Sequence, residues 1–444
     1  MLLPLLYVIK FYMKEYRFEL AYGKDKKSFS LKSNNLLGVL KVGANRRIAP
    51  ASIIESSLDQ PIQSLPFNDF FSPKDTISIV CSDISRYTGS DCFLPILVNR
   101  LSRLGVRDSS ISVTIALGIH RAQTDAEIKE IVGDKLIGRI RVFNHDPRDE
   151  ANLKLLGTTA RGTRAAFNRQ VVEADKIILT GALGFHYFAG FSGGRKGLMP
   201  GVASFDACVN NHLLVLKPEG GKDPHATTGK LQGNPVHEDM MEACQGLPPL
   251  FLFNTILSPD KQIIGAISGD LTRAFEKGCK MYMKDFSVSV KEKADLVIAS
   301  CGGFPKDINF IQAHKSMDYA MEALREGGVM VILAECSEGY GNLSFHGWFK
   351  YHDLNELEEH LKVHYEINGQ TAYSTLIKAK KVKIILISSL PHHEVKQMSM
   401  TPADNIEEAL SLAGKLLGDN PTTYIIPEAG STLPVLAYSS QQSA

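Results

Sequence analysis

The feature that most limits what this chain can become is a repeated alternation. Short, continuous runs of apolar and β-branched residues are separated by stretches with helical periodicity. The runs are Thr76–Cys81, Ser110–Ala116, Ile140–Phe143, Lys176–Thr180, Leu296–Ala299, Val329–Leu333 and Val382–Ile387. Strands that are apolar on both faces must be covered on both faces, which is the signature of parallel sheets flanked by helices. Between them, Cys92–Leu104 places Leu94, Ile96, Leu97, Leu101 and Leu104 on one helical stripe. Thr124-Asp-Ala-Glu127 reads as a capping box that opens a helix carrying Ile128, Ile131 and Val132. One antiparallel interruption is expected. Leu250–Asn254 and Gln262–Ile267 flank Ser258-Pro-Asp260, a turn signal between two strand-like runs.

The fold class expected is therefore α/β, with two α/β domains, mostly parallel sheets and the active site in the interdomain cleft. The pattern breaks near 268–290. This predicts an N-terminal domain over 1–272 and a C-terminal domain over 273–420. A final strand and a disordered tail, Tyr438–Ala444, follow within 421–444. The opening Met1–Lys10 lacks a basic start and a small-residue cleavage site, so it reads as an extension before Met13 rather than a signal peptide.

Composition excludes several partners. Lys+Arg number 49 against 48 Asp+Glu, a net charge of +1, whereas general nucleic-acid binders carry a basic excess. No window reaches the roughly 18 apolar residues of a membrane-spanning helix. The seven cysteines are odd in number and form no C-x-x-C pair, so neither a disulfide framework nor a zinc ribbon is indicated. Scattered thiols suit a reducing, cytoplasmic setting.

The unusual residues gather at the carboxyl ends of the expected strands, where open α/β sheets bind ligands. They are Ser82-Asp83-Ile-Ser85-Arg86, Gly118-Ile-His120-Arg121, Gly181-Ala-Leu-Gly184-Phe-His186 and Cys301-Gly-Gly-Phe-Pro-Lys306-Asp307. The densest segment, His186–Gly201, contains Ser192-Gly193-Gly194-Arg195-Lys196. Its glycines either form an anion nest or simply make a tight turn. It is no P-loop, because Arg195 and Gly197 stand where Gly and Ser/Thr are required. No G-x-G-x-x-G fingerprint is present either, which disfavours an NAD-dependent 2-hydroxy acid dehydrogenase.

Of the 13 histidines, His120, His186 and His212 stand apart because each lies in or just beyond a glycine-rich stretch. His346, His352, His360 and His364 read as solvated. His392-His393-Glu394 reads as an incidental pair, and His225 and His237 are undecided. No H-E-x-x-H occurs, so a standard zinc hydrolase is not expected.

Taken together, these motifs resemble the nickel-pincer-nucleotide-dependent lactate racemases and their homologues. The likeness runs from about residue 20 to residue 430. It rests on Ser82-Asp83-x-Ser85-Arg86, Gly118-x-His120-Arg121-x-x-Thr124 and His186–Lys196. Asn211-His212, Gly233-Asn-Pro-Val236 and Pro305-Lys-Asp307 through Gln312-x-x-Lys315 extend it.

The resemblance implies that Lys196 anchors the cofactor, the nickel complex of pyridinium-3,5-bisthiocarboxylic acid mononucleotide, through a thioamide. His212 would complete the coordination of nickel, and Ser192, Gly193 and Gly194 would help bind the cofactor. Asp83 would help seat the cofactor or orient Arg86. His120 and His186 would be the two general bases, while Arg86, Gln312 and Lys315 would hold the carboxylate of a 2-hydroxy acid. Proteins that build or deliver the cofactor are the implied partners.

The residue types suit that chemistry. Each enantiomer presents its hydroxyl from a different side, so two imidazoles titrating near neutrality are needed. A guanidinium matches a carboxylate bidentately, and the hydride acceptor must be a cofactor. A non-catalytic binder of the same fold would be expected to lack a base or the lysine. The sequence departs from the family at Ser85 (usually Thr), at His237 (commonly Arg), at Ile311 (often aromatic) and in the extension before Met13. The seven cysteines are expected to be bystanders, because sulfur at the metal would come from the cofactor.

Overall fold

The computed structural model describes residues 13–43, 48–342, 344–351, 353–365 and 368–437. The extension before Met13, His352 and the tail Tyr438–Ala444 lie outside the described residues. The chain divides into two compact units. One comprises Val42–Phe286 with Asn355–Gln370. The other comprises the residues up to Lys41, Ser287–Leu354 and those from Thr371 onward.

The first unit is built on a sheet whose order is Ile263–Gly269, Leu250–Leu257, Lys176–His186, Ile77–Ser82, Ile111–Ala116 and Arg141–Asn144. The four inner pairings from 250–257 to 141–144 are all between parallel neighbours. The 263–269 strand returns antiparallel to 250–257 across the expected turn. There, Ser258 Oγ donates to Asp260 Oδ1 (2.5 Å) and the Ser258 N–H donates to the Gln262 carbonyl (2.8 Å).

The apolar strand runs are buried as their composition demands. Ile79, Val113, Ile115, Ile178 and Phe253 join Phe93, Leu94, Leu97, Val98 and Leu101 of the helix Ser90–Arg103 in one core. Each such side chain contributes roughly 1.5–3 kcal/mol on burial. The capping box at Thr124 forms in full, opening the helix Asp125–Val132.

The second unit holds a six-stranded sheet in the order Thr401–Ala403, Lys383–Ile387, Leu324–Leu333, Ala294–Ser300, Thr423–Ile426 and Leu36–Val39. Every pairing in it is parallel.

The division differs from the expected 1–272 and 273–420 in four places, one being Asn355–Gln370, which joins the first unit. Leu36–Val39 adds a strand beside Thr423–Ile426, so the N-terminal segment belongs with the C-terminal sheet. The hairpin Glu15–Tyr22/Asp25–Lys32 buries Leu20, Phe29 and Leu31 in the core of that same sheet. The helix Leu271–Phe286 packs Ala274, Phe275, Gly278, Cys279 and Tyr282 inward within the first unit, so the chain changes unit after Phe286. The expected separate C-terminal piece is also absorbed, since Thr423–Ile426 is an inner strand and Leu433–Leu436 pairs with Ser287–Val290.

All seven cysteines are free. Burial, the largest effect on each, raises every thiol above its ordinary value, and takes Cys81, Cys208, Cys244 and Cys301 to about 12. Such thiols stay protonated near neutrality and are poor ligands and nucleophiles. Among the described residues no helix is long and apolar enough to cross a membrane.

Candidate functional site

Three of the polar loops follow neighbouring strands. The strands 176–186, 77–82 and 111–116 are adjacent in the sheet, so Asp83–Arg86, His120 and His186 emerge side by side at their carboxyl ends. Asp83 is buried, and its Oδ2 lies 2.7 Å from Nδ1 of His120. Its Oδ1 accepts from the Ser85 N–H (2.9 Å) and from Ser85 Oγ (2.5 Å). Asp83 thus holds His120 directly, a contact beyond the cofactor-seating or Arg86-orienting role expected of it. Burial alone would raise the Asp83 carboxyl. The His120 hydrogen bond and charge, the Arg86 charge and the Ser85 hydroxyl outweigh burial and hold the carboxyl below its ordinary value. A carboxylate on Nδ1 fixes the ring and leaves Nε2 to take a proton. Asp83→Asn is expected to keep the fold and lower turnover by about 10–100-fold, as measured by initial rates of the cofactor-loaded enzyme.

His186 is the last residue of a strand longer than expected. The run does not stop at Thr180 but continues to His186, because Gly190–Ser192 folds back antiparallel onto Gly184–His186. Nδ1 of His186 accepts the Ala189 N–H at 3.3 Å.

Phe188, buried, is the hub of this region. The His186 ring meets it edge-on at 4.5 Å between centroids, the His212 ring does so at 5.4 Å, and Nζ of Lys196 lies 5.7 Å from its centroid. His212 ends the helix Phe205–Leu213, which is capped by Ser204. Burial first, then the charges of Lys196, Arg86 and His120, depress His212 to about 3. The imidazole is therefore neutral at working pH and suited to metal ligation. The Tyr365 hydroxyl lies 3.3 Å from Nδ1 of His212 and donates to Gln370 (3.0 Å). A partner on Nδ1 leaves Nε2 as the ring nitrogen that could ligate a metal. Tyr365 gave no signal in the sequence, since it lies 153 residues away in a polar stretch.

Of the two readings of the 186–201 glycines, a nest or a tight turn, the local packing shows the turn. The Gly194 N–H donates to Asn254 Oδ1 (2.7 Å), and Ser192 Oγ donates to the Ala182 carbonyl (3.1 Å). Gly193 has φ +77°, and a Cβ there would lie 2.7 Å from Asn254 Oδ1. Close packing against the neighbouring strands thus requires Gly193 and Gly194. The turn they make presents Lys196.

Arg195 faces the other way. It is fully buried and donates to the carbonyls of Ala189 (2.6 Å) and Phe191 (2.9 Å), and its guanidinium lies 4.5 Å from the Phe275 centroid. Asn234, from the Gly-Asn-Pro-Val stretch, caps the helix Pro235–Ala243 and donates from Nδ2 to the Phe188 carbonyl (2.8 Å). Asn234→Ala is expected to cost about 1–3 kcal/mol in chemical denaturation, because it removes a cap and buried bonds together.

His237 on that helix is largely buried. Burial, helped by the Arg195 charge, lowers it to about 3. The unfolded chain binds a proton at this residue below roughly pH 6.5, whereas the folded chain does not until about pH 3. Stability therefore falls as pH drops through that window. His237→Asn should flatten the acid slope of Tm between pH 6 and 4, measured by calorimetry.

In the second unit, Gln312 and Lys315 lie on the helix Phe310–Ala320, capped by Asn309. Lys315 Nζ donates to Gln312 Oε1 at 2.6 Å. Of the remaining histidines, His225 and His392 pair with Asp223 and Asp404. His346, expected to be solvated, is partly buried and stacks on Tyr340. The described residues contain no group of three or more His, Cys, Asp or Glu side chains able to hold a metal.

Fold and site together define a two-unit α/β protein with acid–base groups gathered at the carboxyl ends of adjacent strands, the arrangement of an enzyme. Residues 22–223 match the family model of the lactate racemase N-terminal domain, and residues 289–433 match that of the C-terminal domain. The lactate racemase of Thermoanaerobacterium thermosaccharolyticum is 33% identical over 429 residues, covering 94% of this chain and 98% of that protein. The lactate racemase of Lactiplantibacillus plantarum is 29% identical, with 92% and 97% covered. The solved lactate racemase apoprotein from T. thermosaccharolyticum superposes with a TM-score of 0.87, covering 95% of this chain and all of that one. A Thermotoga maritima protein at 18% identity and TM-score 0.61 shares the fold. The chain belongs to the lactate racemase family, and its activity is that of a racemase.

Proposed function

We propose that the chain inverts C2 of a 2-hydroxy acid, lactate or a close relative, by proton-coupled hydride transfer, with a nickel-pincer nucleotide joined to Lys196 and ligated by His212. The observation that carries this reading is the grouping of Lys196, His212 and His186 around Phe188, with the Asp83–His120 pair on the adjacent strand ends. A neutral, buried imidazole and a nearby primary amine fit such a group. When bound, the cofactor supplies the hydride acceptor that no side chain can provide.

The remaining steps belong to the chain. Arg86, Gln312 and Lys315 bind the carboxylate and neighbouring oxygens. One imidazole, His120 or His186 according to the enantiomer, takes the hydroxyl proton as the C2 hydrogen leaves. With the bound group supplying the hydride, the second imidazole would return a proton to the oxygen of the flat keto acid. Asp83 keeps His120 in the tautomer that can do this. Both bases and the lysine are present, which argues against a non-catalytic binder.

Ile311, beside Gln312, stands where relatives often carry an aromatic residue, so the substrate side chain need not be that of lactate. Proteins that build the cofactor are the expected partners, and the cytoplasm suits seven free thiols.

The test is a panel. Cofactor-loaded enzyme receives single enantiomers of lactate, malate, phenyllactate and an aldonate, and products are read by chiral chromatography. Inversion of at least one is expected, and inversion of none would contradict the reading.

A further inference from the structure

Behind the proposed substrate helix sits a buried cation. His314 is fully buried, and Lys378, on the helix Gly369–Lys381, has a side chain only 4% exposed. Lys378 Nζ lies 2.7 Å from His314 Nε2, 3.0 Å from Asp318 Oδ1 and 2.8 Å from Ser374 Oγ. Three acceptors thus match the three N–H donors of an ammonium. Removing an ammonium from water costs several kcal/mol, and Lys378 recovers it only while both helices hold this arrangement.

The helix periodicity gives the cluster its meaning. Gln312 and Lys315, three residues apart, share one face and bond to each other. His314 lies roughly half a turn around from Gln312, on the face that also buries Ala313 and Met317, while Asp318 lies at the flank, one turn beyond His314 and three residues beyond Lys315. We propose that Lys378 is a positioning residue: by holding His314 at the back and Asp318 at the flank of the 310–320 helix, it fixes the direction in which Gln312 and Lys315 present their side chains to the substrate carboxylate. This rests on the substrate role given to that helix above.

The Lys378 contacts are equally present in ground and transition states. Loosening them therefore weakens uniform binding and appears in KM rather than kcat. A merely structural contact would instead lower Tm and the active fraction, leaving KM unchanged.

The experiment uses the full, cofactor-loaded chain and the best substrate of the panel. Lys315→Ala, Lys378→Met and the double variant are compared for KM, kcat and Tm. Lys378→Met is expected to raise KM about tenfold with kcat within about twofold. The double variant should raise KM little beyond Lys315→Ala, because both act through one helix face. If Lys378→Met fails to fold, His314→Leu and His314→Gln replace it. Leucine, which cannot accept the ammonium hydrogen bond, should raise KM, and glutamine, which can, should restore it. If Lys315→Ala raises KM but folded Lys378→Met, or His314→Leu, does not, the positioning role is wrong and the substrate assignment stands. If Lys315→Ala leaves KM unchanged, the substrate assignment of the helix fails, and the positioning role with it.

Discussion

Replacing Lys196 by Ala should abolish turnover, by at least about 10⁴-fold, while leaving the protein folded. The lysine is the proposed covalent anchor, and without it the hydride acceptor is neither tethered nor placed against the substrate. Arginine should fail equally, because a guanidinium cannot take the place of an amine acylated in a thioamide. Intact mass spectrometry of enzyme matured with the cofactor should show an adduct that Lys196→Ala lacks. The neighbouring residue supplies the control. Arg195 is fully buried and bonded to backbone carbonyls. Arg195→Ala takes a buried charged donor from both carbonyls and opens a void beside Phe275, so it should destabilise the fold by about 3 kcal/mol or more. Two adjacent basic residues thus separate cleanly, one affecting chemistry and the other stability.

The second large effect falls on the bases. His120→Ala and His186→Ala should each lower turnover by about 10²–10⁴-fold, and equally in both directions. In the proposed cycle each passage uses one imidazole to take the hydroxyl proton and the other to return it, so losing either would block the cycle from both sides. His120 depends on the carboxylate at its Nδ1, which is why Asp83→Asn should show a weaker form of the same defect. Initial rates from each pure enantiomer check this. Near-normal turnover in either histidine variant would remove that residue from the mechanism.

Much of this site can be read in the sequence because its residues stand in local contexts. His120 follows a strand that is apolar throughout, Thr124 caps a helix three residues before Glu127, and Lys196 closes a run of glycines. The parallel sheets are equally legible, because doubly buried strands such as Ile77–Ser82 are continuously apolar. What stays hidden depends on distant partners. Gly193 and Gly194 look like a nest until Asn254 is seen to occupy the Gly194 N–H. Leu36–Val39 joins a sheet whose other strands begin more than 250 residues later, so no local pattern assigns it to that unit. The hairpin Glu15–Lys32 alternates apolar and charged residues over one exposed and one buried face, a weaker signal than a continuous apolar run. Tyr365 and Lys378 matter only through the histidines they touch.

The central claim is that hydrogen leaves C2 as hydride and returns to the same carbon. Loaded enzyme should be given one enantiomer of a 2-hydroxy acid carrying deuterium at C2, in ordinary water, and the product enantiomer isolated and weighed by mass spectrometry. The account predicts that the inverted product keeps its deuterium. Inverted product in which the deuterium has been replaced by solvent hydrogen would contradict hydride transfer and point to removal of the C2 hydrogen as a proton.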